Sequence, residues 1–321
     1  MIDVHGHLSS PDQLARYPMP AALGDAEGMI EAKLAAGVAV TILGSPVGGG
    51  AMVPLPGVDN YAQTEDELRR FHDWLRGLVE RFPDHLRAYV YVNPFGDDAH
   101  LANAAELAAE PAFVGIIANS SVDGRHLADP QADSFFAMAA ERGLPVLLHA
   151  PASPAAGTGL TDLMAIEQLG RFCDVTIAVA CCVLGGWLEK YRDLNLIAQG
   201  GGGAVGLLAE KLDLGWAAPH WGGADGPFRP LPKLPHPPSS YFERIWADTA
   251  TPSPRALDLA VATFGAGRML FGTDSPPLPT PSVGGAVRLV EALPVTAEQR
   301  HGIREGNARR LFGPRLPKEQ S

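Results

Sequence analysis

The chain begins with the segment IDVHGHLSS, residues 2–10, in which a short apolar run leads directly into two histidines. A run of this kind, rich in Ile and Val, is typical of a buried strand. Side chains two residues apart on a strand point to the same face, so His5 and His7 would project together where this strand ends. The segment therefore predicts a first strand that carries a pair of candidate metal ligands.

The same pattern recurs along the rest of the chain, where apolar runs alternate with longer segments of helical spacing. This alternation is typical of βαβ units around a parallel sheet. The predicted strands lie near Met1–His7, Val38–Ser45, Leu86–Asn93, Phe113–Asn119, Pro145–Ala150, Leu194–Gly200, Tyr241–Asp248 and Met269–Asp274. The predicted helices cover Ala26–Ala36, Thr64–Phe82, Gln131–Arg142, Thr161–Arg192 with a break, and Pro254–Phe264.

Eight βα repeats favour a (β/α)8 TIM barrel over an open doubly wound sheet, because no Gly-rich dinucleotide fingerprint follows the first strand. Two segments dense in Gly and Pro interrupt the alternation, residues 45–60 after the second strand and residues 213–240 after the sixth. We expect both to project from the rim of the barrel as a lid, a substrate wall or an oligomer contact. No linker is visible, so one domain is expected over residues 1–321.

The composition excludes several classes of partner. Lys and Arg number 25 against 36 Asp and Glu, a net charge of −11, and no basic stripe is present, which argues against nucleic acid. No apolar run approaches the roughly 20 residues that span a bilayer, and no signal segment follows Met1. Cys173, Cys181 and Cys182 match no disulfide framework. The sequence thus predicts a soluble, cytoplasmic protein that acts on a small molecule.

Four polar residues fall at the carboxyl ends of predicted strands, where barrels of this kind carry their chemistry. The first strand ends in His5 and His7, the fifth in His149 and the eighth in Asp274. A lone histidine, or the His-x-His pair alone, is more often an ordinary hydrogen-bonded residue. Together these four form a nitrogen and oxygen set that suits one divalent ion, Zn²⁺ first and Mn²⁺, Fe²⁺ or Co²⁺ as alternatives.

Other polar residues are weaker candidates. Asn93 and Asn119 end the third and fourth strands and could bind substrate, as could three residues of the 213–240 loop, His220, Arg229 and Lys233. Solvated loop charges are the better interpretation of Arg229 and Lys233. Asp248 ends the seventh strand, where a structural hydrogen bond and support of a ligand are equally compatible with its position. The remaining histidines are expected to be solvated: His72, His85, His100, His126, His236 and His301. Of these, His236 lies in the 213–240 loop and stays open as a substrate contact, as His220 does.

Taken together, the motifs resemble those of the amidohydrolase superfamily. The likeness to its branch of aminocarboxymuconate semialdehyde decarboxylase and related aromatic-acid decarboxylases runs nearly end to end, through MIDVHGH, GLPVLLHAP, LEKYRDLNLIAQGGGG, YFERIWADTA, RMLFGTDSP and IREGNARRLFG. The resemblance implies a single divalent metal held by His5, His7, His149 and Asp274, and a homodimer. The sequence lacks an evident lysine placed as the carbamylated bridge of binuclear relatives.

One position departs from the family pattern. The sixth strand of that branch usually ends in AHGGG, and its histidine assists proton transfer, whereas this chain has AQGGG with Gln199 in that place. Glutamine donates and accepts hydrogen bonds but does not titrate, so proton transfer would fall to Asp274. Asp274 and Gln199 are therefore the candidate catalytic residues.

Three functions remain compatible with these residues. Family resemblance favours a non-oxidative carboxy-lyase acting on a small carboxylate compound. The alternative is a metal-dependent hydrolase of an amide, ester or lactone, in which Asp274 is the base and Gln199 hydrogen-bonds the developing oxyanion. A non-catalytic barrel that binds a small molecule is the third, and the presence of all four predicted ligands argues against it.

Overall fold

A computed structural model of the chain describes residues 1–216, 234–277 and 281–318. Eight parallel strands pair in the order of the sequence. They are β1 Ile2–Gly6, β2 Val40–Leu43, β3 Leu86–Val92, β4 Phe113–Asn119, β5 Val146–His149, β6 Leu196–Ala198, β7 Trp246–Asp248 and β8 Met269–Leu270. Two backbone hydrogen bonds of 2.9 Å join the last strand region to the first, Val4 N to Phe271 O and Asp274 N to His5 O. The strands thus form a nearly closed barrel, and the predicted TIM barrel is confirmed.

Three strands are clearly shorter than the sequence predicts. The predicted strand Met269–Asp274 is strand only over Met269–Leu270, and helical turns replace part of the other two. The predicted strand Leu194–Gly200 stops at Ala198, where the 3-10 turn Gln199–Gly202 begins, and Gly200 there takes a φ of 60°. The predicted strand Tyr241–Asp248 begins only at Trp246, after the 3-10 helix Pro238–Arg244. A small antiparallel pair, Ser121–Val122 with Arg125–His126, was not predicted.

Helices flank the strands, and several begin after a residue whose side chain caps the helix. Thr64 forms a capping box with Glu67 at the start of the helix Glu65–Arg81, and Ser253 caps the helix Pro254–Phe264. In the described part of the chain the α-helices are α1 Pro11–Arg16, α2 Ala26–Ala35, α3 Glu65–Arg81, α4 Asp98–Leu107, α5 Asp133–Glu141, α6 Leu163–Ala165, α7 Arg171–Leu184, α8 Trp187–Lys190, α9 Ala209–Trp216, α10 Pro254–Phe264, α11 Pro281–Glu291, α12 Ala297–His301 and α13 Asn307–Phe312.

The predicted broken helix Thr161–Arg192 is divided at two points. A π-helical turn, Ile166–Gly170, joins α6 to α7, and Gly186, with a φ of 79°, separates α7 from α8. Turns of the π type are rare and often occur at functional sites. This one follows β5, so it lies at the end of the barrel where the carboxyl ends of the strands meet.

The apolar core has an inner and an outer part. The inner part consists of strand side chains such as Val4, Ile42 and Ile117. The outer part lies between the strands and the helices, where Phe71 of α3 and Phe135 of α5 are buried. Burial at about 25 cal/mol per Å² of apolar surface is the main force that holds the strand ends in place.

The first of the two long loops differs from its predicted form, and most of the second lies outside the described residues. The first part of residues 45–60 is packed rather than projecting, since Val47 and Ala51 are buried and the Gln13 side chain donates to the carbonyls of Gly48 and Gly50 at 3.0 Å. The segment 213–240 begins inside α9, and its residues 217–233 lie outside the described part. Among the described residues, no helix combines the length and apolar character needed to cross a membrane.

Candidate metal centre

The four predicted ligands converge at the carboxyl ends of β1, β5 and β8. The Nε2 atom of His7 lies 3.1 Å from Nε2 of His5, 3.3 Å from Nε2 of His149 and 3.0 Å from Oδ1 of Asp274. One ligand atom from each of the four lies within 4.8 Å of the others. The histidines are buried, whereas 28% of the Asp274 side chain is exposed. The barrel thus brings together all four residues that the sequence singled out.

Backbone carbonyls determine which nitrogen carries the proton in two of the rings. His7 Nδ1 lies 2.8 Å from the carbonyl oxygen of Gly44, and His149 Nδ1 lies 2.7 Å from that of Ala150. Carbonyl oxygens only accept, so both Nδ1 atoms donate. In the neutral rings Nε2 is then an unprotonated acceptor directed at the cluster.

A buried carboxylate has the same role for His5. Asp248 Oδ2 lies 2.7 Å from His5 Nδ1, and the other oxygen, Oδ1, accepts from the backbone N–H of Gly200 at 2.7 Å and of Ala250 at 3.0 Å. A Cβ on Gly272 would lie 2.9 Å from Cβ of Asp248 and 3.1 Å from that of His5, so glycine makes this approach possible. Asp248 therefore orients the His5 ring and also accepts hydrogen bonds from the backbone of Gly200 and Ala250. Both roles that its position in the sequence left open are thus present.

This pattern fits a bound cation. Nε2 of His7 lies 3.0–3.3 Å from the other three ligand atoms, and the Nδ1 atoms of the rings are already engaged elsewhere. Acceptors in such contact are satisfied by a positive charge, and outer carboxylate or carbonyl partners on the second ring nitrogen are typical of metal-binding histidines. The set could hold one divalent metal ion.

The cluster also shifts the pKa values of its members. Burial by itself lowers the pKa of His5, but the carboxylates of Asp274 and Asp248 raise it to about 9. Burial, with His7 and His5 nearby, holds the pKa of His149 well below its usual value. Burial would raise the pKa of Asp274, and the nearby His5 and His7 outweigh it and lower that pKa. Asp274 is therefore ionised at neutral pH and available as a ligand.

Gln199 lies beside the cluster at the end of β6. Its Oε1 accepts a hydrogen bond of 2.9 Å from the backbone N–H of Ala150, which directly follows His149. The side chain thus connects the ends of β5 and β6. Its contribution to catalysis stays a prediction.

The other candidate substrate contacts are placed as follows. Asn119 is fully buried and its Nδ2 donates to the carbonyl of Pro46 at 2.7 Å, while Asn93 Oδ1 accepts from the backbone N–H of Phe95 at 3.0 Å. Both side-chain amides thus form hydrogen bonds with backbone groups. Their contact with substrate stays a prediction. His220, Arg229 and Lys233 lie outside the described residues.

Two of the remaining histidines are not solvated as expected. The side chain of His100 is only 12% exposed, with its Nδ1 2.7 Å from Glu65 Oε1 and its Nε2 accepting from the backbone N–H of Asn93 at 3.0 Å.

His72 of α3 is buried rather than solvated, and its Nε2 accepts from the backbone N–H of Tyr91 at 2.9 Å. Burial lowers the pKa of His72 to about 4, so the ring is neutral. Its position on the apolar face of α3, beside Leu68 and Leu75, is the sequence signal that could have revealed this.

The sequence reasoning also missed a charged pair in the π turn and α7. Glu167 Oε2 lies 2.8 Å from Arg171 Nη1, and Arg171 Nη2 donates to the carbonyl of Met52 at 2.5 Å. Burial is the largest cause of the pKa changes in this pair, raising the pKa of Glu167 and lowering that of Arg171. The attraction between the two side chains opposes both changes, and the nearby Asp274 carboxylate raises both pKa values by a smaller amount. Charges four residues apart are usually solvated on a helix surface, so nothing in the sequence distinguished these.

A family model and a curated relative match the chain. A family model described as amidohydrolase matches residues 2–313. A curated relative, the 2-amino-3-carboxymuconate-6-semialdehyde decarboxylase of Dictyostelium discoideum, is 22% identical over 201 residues, which cover 62% of this chain and 53% of that protein. The chain thus matches about half the length of this relative.

Solved structures share the fold over almost the whole chain. The 5-carboxyvanillate decarboxylase of Sphingomonas paucimobilis superposes with a TM-score of 0.80 at 19% identity, covering 97% of this chain and 98% of that one. The 2,6-dihydroxybenzoate decarboxylase of Rhizobium gives 0.75 at 20% identity with the same coverage. A dihydroxybenzoic acid decarboxylase of Polaromonas, solved with manganese and the inhibitor 2-nitroresorcinol, gives 0.74 at 19% identity, covering 97% and 96%.

Proposed function

Because the chain belongs to the amidohydrolase family, we propose that it is a metal-dependent carboxy-lyase that removes the carboxyl group of a small aromatic or unsaturated acid. The observation that carries the proposal is the convergence of three histidine Nε2 acceptors and the Asp274 carboxylate at one point. The decarboxylase names of the relatives support this reaction over hydrolysis.

We propose one divalent ion, held by His5, His7, His149 and Asp274. Zn²⁺ is the first expectation from the donor set, and the manganese of the Polaromonas structure makes Mn²⁺ the main alternative. Such an ion acts as a Lewis acid on a substrate oxygen.

A second metal ion would need a lysine placed as a carbamylated bridge. Lys33 is the one buried lysine among the described residues, and it bonds to Asp3 at 2.6 Å, away from the ligand cluster.

Asp274 is the proposed proton carrier. Its Oδ1 faces His5 and His7, and the partial exposure of the side chain leaves the carboxylate accessible from the mouth of the barrel. In decarboxylation the bond between the ring carbon and the carboxyl carbon breaks, CO₂ leaves with that carboxyl group, and the ring carbon gains a proton. Because Asp274 is ionised at rest, it would first take this proton from solvent and then pass it to the ring carbon. Gln199 does not titrate, and we propose that it keeps the ends of β5 and β6 in register for this step.

The test is a substrate panel with a matched pair of variants. Protein loaded with Zn²⁺ or Mn²⁺ is incubated with hydroxylated aromatic acids, including 5-carboxyvanillate and 2,6-dihydroxybenzoate, and separately with amides, esters and lactones. We expect CO₂ release by the wild type and by His301→Ala, which changes an exposed histidine. The double variant His5→Ala, His7→Ala should lose its metal and, with it, roughly a thousandfold or more of the rate, since Lewis-acid stabilisation is worth several kcal/mol.

Two results would contradict the proposal. One is a double variant that keeps one metal ion per chain by elemental analysis together with full activity. The other is hydrolysis of an ester, amide or lactone by wild-type protein that releases no CO₂ from any acid. The second result would instead favour the hydrolase alternative.

We further propose that the active protein is a single-domain homodimer in the cytoplasm. Several large apolar side chains are exposed, among them Met164 at 62% and Leu207 at 70%, and exposed apolar surface often marks an interface when it is contiguous. Cys173, Cys181 and Cys182 are free thiols, as a reducing compartment requires. A mass of one chain by light scattering at micromolar concentration would contradict the homodimer. Recovery of the protein outside the cytoplasmic fraction of expressing cells would contradict the location.

A further inference from the structure

A cavity of about 630 Å³ opens at the end of the barrel away from the metal centre. It lies where β7 and β8 begin, because it is lined by Trp246, the first residue of β7, and by Arg268, which directly precedes Met269 of β8. Arg310 of α13 and Glu243 also line it. The candidate metal ligands lie at the carboxyl ends of the strands, so this cavity is separate from their cluster.

Two arginines meet over one tryptophan ring on the wall of this cavity. The guanidinium carbon of Arg268 lies 4.5 Å from the centroid of the Trp246 ring, and that of Arg310 lies 5.1 Å from it. Arg310 Nη2 also donates to the carbonyl of Gly267, the residue before Arg268. Guanidinium groups stack favourably on aromatic faces, so the ring holds both in place as neighbours.

Neither arginine has a carboxylate partner in the part of the chain that the structure describes, where no Asp or Glu oxygen lies within 4.0 Å of either guanidinium. Arg268 Nε donates to the carbonyl of Glu243 at 3.0 Å, and one nitrogen of Arg310 is engaged as described above. A guanidinium has five N–H donors, so most of them remain available. Burial and the charges of Arg310 and Arg244 lower the pKa of Arg268, and no carboxylate offsets them.

The free donors define the chemistry of a ligand. A single guanidinium satisfies a carboxylate through two parallel N–H bonds. Two adjacent guanidinium groups instead match a group that carries two negative charges and at least three acceptor oxygens, which a phosphate provides. The exposed carboxylate of Glu243 also lines the cavity and opposes an anion, but it pairs with neither arginine and leaves both free.

We propose that Arg268 and Arg310 form a binding site for a phosphate group at the amino-terminal end of the barrel, occupied by free phosphate or by a small phosphate ester. The free N–H groups of both side chains donate to the phosphate oxygens, and Trp246 keeps the two guanidinium groups together. The site uses none of the metal ligands, so it is independent of the reaction proposed for the other end of the barrel.

The test measures binding in phosphate-free buffer of low ionic strength. Calorimetry titrates metal-loaded protein with inorganic phosphate, with phenyl phosphate and with acetate. We expect the wild type to bind at least one of the two phosphates, and acetate roughly tenfold or more weakly. Arg268→Met and Arg310→Met should each weaken the binding of phosphate about tenfold, because charge-assisted hydrogen bonds are lost.

Two further variants sharpen the result. Glu243→Gln should tighten the binding of phosphate, because it removes the opposing charge, and a folding defect would not imitate a gain. Arg142→Met is the matched control, since Arg142 is exposed at the end of α5, and it should bind like the wild type. Phosphate bound at the metal would persist in both arginine variants, so only the difference between proteins is assigned to this site.

Thermal melting and metal content establish that each variant is folded and loaded. Weaker binding in both arginine variants supports the site, and the phosphate that binds more tightly, free or esterified, identifies its source. Binding that is unchanged in both arginine variants overturns the inference. A wild type that binds neither phosphate at millimolar concentration, or binds acetate as tightly, also overturns it.

Discussion

Strand β1 contributes to two buried polar clusters that differ in how their charges are balanced. Asp3 bonds to Lys33 at 2.6 Å, to the Thr273 hydroxyl at 2.6 Å and to the backbone N–H groups of His5 at 3.0 Å and Thr273 at 3.1 Å. Every contact to this carboxylate comes from a donor. Two residues further along, His5 joins a cluster whose side chains turn acceptors towards one another.

The difference separates a structural cluster from a functional one on the same strand. The Asp3 cluster, which comprises Asp3, Lys33 and Thr273, is complete with protein atoms alone. The ligand cluster of His5, His7, His149 and Asp274 is complete only with a cation. Burial and charge are similar in the two, so the direction of the hydrogen bonds, rather than the presence of ionisable residues, identifies the site.

The largest effect is expected when the Asp3 cluster is broken. Lys33→Met removes its cation and leaves a buried carboxylate uncompensated, which should lower the free energy of unfolding by about 3–5 kcal/mol. Urea unfolding measures the change. Lys190→Met is the matched control, since Lys190 pairs with Asp133 at 2.5 Å on the surface, and it should have little effect. Equal losses in the two variants would mean that the Asp3 pair is not structural.

Removal of the metal should make the ligand cluster sensitive to pH. In chelator-treated protein His5 has a pKa of about 9, above its unfolded value of 6.5, so the folded state holds the proton more tightly. The resulting stability is fully present below pH 6.5 and is lost as the pH rises to 9, up to roughly 3 kcal/mol.

Urea unfolding at pH 6.5 and pH 9 checks this effect as the difference between wild type and His5→Gln. In metal-loaded wild type the extra proton should be absent at both pH values, because ligand nitrogens are unprotonated. If wild type and His5→Gln lose the same stability over this range without metal, His5 does not hold the extra proton.

A smaller effect is expected from the carboxylate that orients His5. Asp248→Asn keeps the shape and an acceptor oxygen but removes the charge, and changes of this kind cost about tenfold to a hundredfold in metal affinity. Competition with a chromogenic chelator measures the affinity. Asp258→Asn, on the exposed side of α10, should match the wild type. An unaltered affinity in Asp248→Asn would show that the ion pair with His5 is dispensable for binding.

Much of the fold and the ligand set could be predicted from local sequence patterns. Strand runs that end in His5 and His7, in His149 and in Asp274 identify the ligands, because the carboxyl ends of parallel strands meet at one end of a barrel. Strand ends near Gln199 and Tyr241 were less predictable, since 3-10 turns replace strand there for reasons of packing.

The sequence by itself therefore determined the barrel, its order of strands and the four candidate ligands, because each depends on patterns of a few residues and on one rule of chain geometry. Only the tertiary structure decided which nitrogen of each ring faces the cluster, since the partners of His7 and His149 are backbone carbonyls without a side-chain signature. It alone also joined Arg171 to the carbonyl of Met52 while pairing it with Glu167, because these contacts depend on a π turn and on packing between segments distant in the chain.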